Sequence, residues 1–183
     1  MRWYSSLLRS WPVSTNAVQG AVLCAVGDIG AQILERRDAP DVEPSTLGVR
    51  RCASAAAIGT AFGAFIYPTA YRILDARWPT TSIRTVLMKS VAEVATLGTV
   101  GNAFSIGGRV VLEGDGPSAA CEQISREMMF VLKNELRLWL PWNVFLFALV
   151  PAHLRPGSTM LVEAGWTTYI SWVAHRKDAA TCV

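Results

Sequence analysis

The chain is short of charge. Of its 183 residues, 17% are Asp, Glu, Lys or Arg and 51% are hydrophobic, where a soluble globular domain carries about 25% charged residues. Mean hydropathy is +0.30. The net charge of +3 is scattered at segment ends and forms no basic stripe, which argues against a nucleic-acid partner. Only two histidines are present, His153 and His175, each close to an arginine. They read as interfacial groups rather than metal ligands. The four cysteines, Cys24, Cys52, Cys121 and Cys182, have no CxxC or zinc-like spacing and read as free, buried, small hydrophobes. There is no Asn-x-Ser/Thr sequon, no G-x-G-x-x-G or G-K-[ST] phosphate loop and no nucleophile elbow around a serine. No catalytic constellation emerges, and nothing calls for a metal or cofactor. A secretory apolar core is also missing from Met1–Pro12, so an uncleaved interfacial N-terminus is expected. Trp3, Tyr4 and Trp11 would sit at headgroup level, with Arg2 and Arg9 reaching anionic lipid.

What the chain does have is a run of small and aliphatic residues from Ala17 to Leu34 with one aspartate, Asp28, inside it. On a helical wheel Val18, Val22, Val26, Ile29 and Ile33 share a narrow arc. Ala17, Gly20, Cys24, Gly27, Asp28 and Ala31 fall opposite, with Gln32 one turn beyond Asp28. A soluble helix would show a charged face against its bulky stripe. Here the second face is small with single polar groups. That is the pattern of a membrane helix, bulk toward lipid and small residues toward neighbours. Ser14, Thr15 and Asn16 are the expected N-cap, and Asp38–Thr46 the polar loop that follows.

A second segment, Cys52–Tyr67, carries Gly59-x-x-x-Gly63, a close-packing pair. Gly20, Gly27, Gly59 and Gly63 are the predicted helix-packing glycines. Pro68 is expected to bend or end this helix, leaving Tyr71, Arg72, Asp75, Arg77 and Trp78 as an interfacial tail. The third segment, Val86–Val111, holds Lys89, Glu93 and Asn102. Lys89 and Glu93 stand four apart and can pair, or Lys89 snorkels from a helix end. Cys121–Arg137 reads as an amphipathic helix at the surface, feeding the hydrophobic run Leu138–Val150, which rises only about 20 Å and must extend upstream into Lys133–Arg137, kinked near Pro141. Ser158–Val173, with Glu163 inside, either spans or lies flat. Trp139, Trp166 and Trp172 join Trp3 and Trp11 as expected interfacial anchors. The predicted fold is all-α, one domain over residues 1–183: a membrane-embedded bundle of four, or five, transmembrane helices with interfacial amphipathic helices. Lys and Arg are nearly balanced on alternate sides, so the positive-inside rule assigns no orientation.

Ionisable groups at depth are costly and should face the bundle interior or water. Asp28, Gln32, Lys89, Glu93 and Asn102 are therefore either a polar pathway for small solutes or interhelix pins. In the pin reading, Asp28 pairs with Lys89 or a loop arginine.

Several stretches in order resemble the Mpv17/PMP22 proteins, small membrane proteins of mitochondria and peroxisomes. They are Trp3–Tyr4 and Trp11–Pro12; Gly27–Asp28, Gln32 and Glu35–Arg37; Gly59, Gly63 and Tyr67–Pro68 leading to Tyr71–Asp75; Lys89 and Glu93; Trp139, Pro141, Phe147 and Val150–Pro151; and Gly165–Trp166 through Tyr169, Ser171–Trp172 and His175–Arg176. The chain departs from the family pattern where Asn143 stands for a glutamine and Leu146 for an asparagine. The resemblance implies an integral membrane protein of about four helices, in the mitochondrial inner membrane or, alternatively, the peroxisomal membrane. It also implies a channel-like or scaffold role and no enzymatic activity. The loss of polar residues suggests another role, an accessory structural subunit of a larger mitochondrial membrane complex such as a respiratory complex or ATP synthase. The expected partners are the lipid bilayer and either such subunits or a second copy of the chain.

Overall fold

A computed structural model describes residues 2–38 and 48–175, and the described residues are almost entirely helical. The polar loop expected before Thr46, Cys182 and Arg176 lie outside the described residues, as do the side chains of Arg2, Asp38 and His175. A short helix, α1 (Arg2–Ser10), leads into α2 (Pro12–Asp38). Helix α2 starts two residues before the expected cap, with proline in the first turn, where its missing N–H is not needed. The next rod consists of α3 (Val49–Ala61), a wide π turn (Phe62–Ile66) and α4 (Tyr67–Arg77). The third rod has the same construction: α5 (Ile83–Thr96), a π turn (Leu97–Gly101) and α6 (Asn102–Glu113). Helix α7 (Pro117–Leu149) runs 33 residues, about 50 Å, and α8 (Arg155–His175) follows a single 3₁₀ turn.

Local chemistry sets several boundaries. Ser82 caps α5, its hydroxyl accepting from the Thr85 N–H at 3.4 Å. Gly114 closes α6 in the left-handed region at φ +108°, a conformation other residues resist. Of the two outcomes the sequence left open at Pro68, bending or ending, the helix does not end there. The π turn just before it widens the backbone where the proline ring would otherwise meet the carbonyl one turn earlier. Pro141 likewise sits inside an unbroken α7. The expected surface helix at Cys121–Arg137 is therefore the first half of α7. It carries a buried row at every fourth residue, Glu127, Val131, Glu135, Trp139, Asn143 and Phe147.

Packing inverts the soluble pattern. Val18, Val22 and Val26 on α2 are 63%, 55% and 56% exposed, while Gly20, Cys24, Gly27, Asp28 and Ala31 are buried. Helix α2 lies between α3 and α8, and its glycines set the distance. A Cβ on Gly20 would meet the Gly59 carbonyl, one on Gly59 the Gly20 carbonyl, one on Gly63 the Asn16 carbonyl and one on Gly27 the Ala164 carbonyl. Two of the described helical segments, Pro12–Arg37 and Val49–Arg77, are long and apolar enough to cross a membrane by length and composition. The third rod, residues 83–113, and α7 are longer, but neither is apolar enough to meet the same measure.

Two aromatic anchors expected at the interface are inside. Trp139 and Trp166 are 2% and 5% exposed and meet edge to face at 6.2 Å, because both fall on the inward rows of α7 and α8. Tyr71 is also buried, its hydroxyl 2.9 Å from Thr159 Oγ1. Trp3 and Trp11 are exposed, and Trp172 is half-buried. Of the cysteines expected in the core, Cys24 is buried, Cys52 half-buried and Cys121 exposed.

Candidate functional site: a stratified polar interior

The bundle interior holds three polar layers. The first surrounds Asp28, which is fully buried. Its Oδ2 accepts from Gln32 Nε2 at 2.8 Å, and its Oδ1 accepts from the Ser171 hydroxyl. Arg109 Nη1 and Arg51 Nη2 lie 3.3 and 3.6 Å from the same oxygen. Arg51 also grips Glu35 with two bonds of 2.7 and 3.0 Å, a bidentate geometry suited to a guanidinium. Gln32 Oε1 accepts from the Gly48 N–H at 2.8 Å. Four helices, α2, α3, α6 and α8, thus converge on one carboxylate and its neighbours.

At the other end, Asp75 on α4 receives Lys89 Nζ from α5 at 2.6 Å and Arg155 Nη1 from α8 at 2.7 Å. Lys89 and Arg155 both lie over the Phe147 ring, at 5.7 and 5.2 Å, a placement that lets an aromatic face offset part of their desolvation.

Between these ends lies a small cavity of about 10 Å³, room for about one water. Glu93 of α5, Glu135 of α7 and Glu163 of α8 line it with Tyr67, Asn102 and Trp139. Each glutamate is held by a neutral donor. Tyr67 Oη donates to Glu163 at 2.8 Å, Asn102 Nδ2 to Glu135 at 2.8 Å, and Asn143 Nδ2 to Glu93. Trp166 Nε1 fixes Asn102 by donating to its Oδ1 at 3.0 Å. Trp139 Nε1 and Asn143 Oδ1 are buried with no partner among the described residues. None of the three glutamates has an ion pair among the described residues. Tyr67 and Asn102 are each the first residue beyond a π turn, an irregularity that recurs at functional sites.

The five sequence candidates therefore fall into different layers. Asp28 and Gln32 share the first, Glu93 and Asn102 line the central cavity, and Lys89 sits at the far end. The expected Lys89–Glu93 pair does not form, because Asp75 supplies Lys89 with an anion and Asn143 supplies Glu93 with a donor. Asp28 pairs with arginines rather than Lys89. Arg109, Glu135 and Arg155 were not singled out by the sequence, and Asp75 was read as part of an interfacial tail rather than as an interhelix pin. The four-residue row on α7 was the available signal for Glu135, because an acid on a row otherwise containing Val131, Trp139 and Phe147 must face inward.

These observations define a class: an all-helical membrane protein with apolar residues outside and ionisable ones inside. Residues 110–171 match the sequence model of the Mpv17 / PMP22 family. The chain is 25% identical over 176 residues to Protein sym-1 of Neurospora crassa, covering 94% of this chain and 98% of that protein. It is 26% identical over 178 residues to the Mitochondrial inner membrane protein Mpv17 of Danio rerio, covering 96% and 97%. PXMP2/4 family protein 2 of Dictyostelium discoideum is 23% identical over 179 residues, covering 96% and 91%. No solved structure matches the chain. The chain is thus similar to the Mpv17 / PMP22 family, over residues 110–171 by the family's sequence model and over nearly its whole length by these relatives.

Proposed function

We propose that the chain is a channel-like, non-enzymatic protein of the inner mitochondrial membrane, with four or five spanning rods. In this conformation its polar interior is closed. One observation carries the reading: three glutamates from three helices converge without a cation. A structural pin needs matched charge, as Asp28 has in Arg109 and Asp75 has in Lys89 and Arg155. Three carboxyls gathered around one cavity bring desolvation and mutual repulsion instead. Such a centre suits passage of small polar solutes or ions better than it suits holding helices together. The paired layers at either end act as pins that bound the route. The family resemblance, with its channel-like members, agrees with this.

The test is conductance of the purified full chain in planar bilayers. Glu135→Gln and Glu163→Gln, which keep size and one acceptor oxygen for Asn102 and Tyr67, should shift unit conductance or ion selectivity. Wild-type protein without conductance, or conductance indifferent to both substitutions, would refute the pathway. A second reading, an accessory subunit of a larger membrane complex, is favoured by one observation, a face of α7 that turns two cations outward.

A further inference from the structure

The outward face of α7 does not suit hydrocarbon, and the contacts of the third rod fix its depth. The exposed residues of that rod carry no charge between Arg84 and Glu113, so its midpoint falls near Gly98. Glu135 packs against Gly98 and accepts from Asn102. Lys133 and Arg137 flank Glu135 at two residues on either side, about 3 Å along the axis, and both are exposed. Two cations therefore point out of the bundle near the bilayer centre. Neither has a carboxylate partner among the described residues, and Arg137 Nη1 reaches only Asn134 Oδ1, at 3.3 Å. Pro141, one turn on and also exposed, has no N–H to offer the Arg137 carbonyl. The headgroups lie about 15 Å away, half of a ~30 Å hydrocarbon core, beyond the few ångströms that snorkelling covers. Outward-facing cations at this depth are costly and uncommon.

We infer that this face of α7 docks a membrane-spanning helix of another protein that carries one or two carboxylates at mid-depth. Charge complementarity selects that occupant. In a symmetric pair of this chain the cations would meet cations. Among the described residues, the accessible acids Glu35, Asp75, Glu113, Asp115 and Glu122 lie toward rod ends, none at the level of Glu135. Shape agrees, since an open groove of about 230 Å³ runs between α5 and α7 beside the two cations, lined by Val91, Ala95, Leu132, Leu136 and Leu140. It can seat the apolar side chains of an adjoining helix. The inference rests on the rods spanning the bilayer, and it gives the accessory-subunit reading its partner chemistry.

The experiment places a photo-reactive phenylalanine analogue at Leu136, which is exposed between the two cations, in the full chain in mitochondrial membranes. Cross-linked peptides are identified by mass spectrometry. The expected product is an apolar segment of a different protein containing Asp or Glu. Its yield should fall at least about tenfold in Lys133→Leu/Arg137→Leu and persist in Lys133→Arg/Arg137→Lys. Cross-links only to lipid, to a second copy or to a segment without an acid would overturn the inference, as would a yield indifferent to the Leu substitutions. Carbonate washing of the same membranes separates the two failures. Release of the chain defeats the spanning reading and with it this one, whereas retention without an acidic cross-link defeats the docking alone.

Discussion

Asp28 and Arg109 show what a single buried charge requires. Arg109 is 1% exposed and has Asp28 as its nearest anion, at 3.3 Å. Asp28→Asn leaves that guanidinium buried without its counter-charge, a change that typically costs about 3–5 kcal/mol. Thermal unfolding in mild detergent should therefore show a clear loss of stability for Asp28→Asn and for Arg109→Met. The double variant should be less destabilised than the sum, since removing both charges leaves neither orphaned. Additive losses would count against the pin. Asp28 stood out in the sequence as one acid in an apolar helix. Arg109 did not, because an arginine near a helix end commonly snorkels to the surface. Only the third dimension turns it inward toward α2.

At the scale of elements, close glycine contact and backbone pitch decide the arrangement. Gly20 and Gly59 bring α2 and α3 together so that each lies against the other's carbonyl. Gly59→Val must push the helices apart, an overpacking change of about 1–3 kcal/mol or more. Gly165, with nothing within 4 Å of its would-be Cβ, is the control, and Gly165→Ala should be neutral or slightly stabilising. Melting temperatures of the two variants in detergent check the contrast. The glycine faces were legible because Gly59-x-x-x-Gly63 sits in an apolar run and Gly20 and Gly27 share an arc. The continuity of α7 was harder to see. Its charged first half and apolar second half differ in composition; the shortness of Leu138–Val150 carried the helix back to Lys133, and the four-residue spacing of buried side chains carries it on to Pro117. Pro68, read as a bend or an end, and Pro141, read as a kink, are both accommodated within continuous rods.

For the whole molecule, the inverted distribution of apolar surface sets the surroundings. The Val18, Val22 and Val26 ridge faces outward and the ionisable groups face inward, as hydrocarbon demands and water does not. A spin label at position 22 should therefore be relaxed by lipid-dissolved oxygen and shielded from a water-soluble nickel chelate. A label at position 115, in the exposed turn after α6, should show the reverse. Equal chelate access at both positions would remove the bilayer from the account. This environment was readable from composition and from one helical wheel, whereas the layering of charge inside was not, because it depends on which helices become neighbours. The π turns give that layering a further property. Each holds a residue more than regular α pitch needs, and the first residue past each one, Tyr67 or Asn102, is the donor that holds Glu163 or Glu135. Returning either turn to ordinary pitch would swing its donor through about 100°. The latch on each buried carboxyl is thus a matter of winding, and a slip of one residue along a rod is enough to release it.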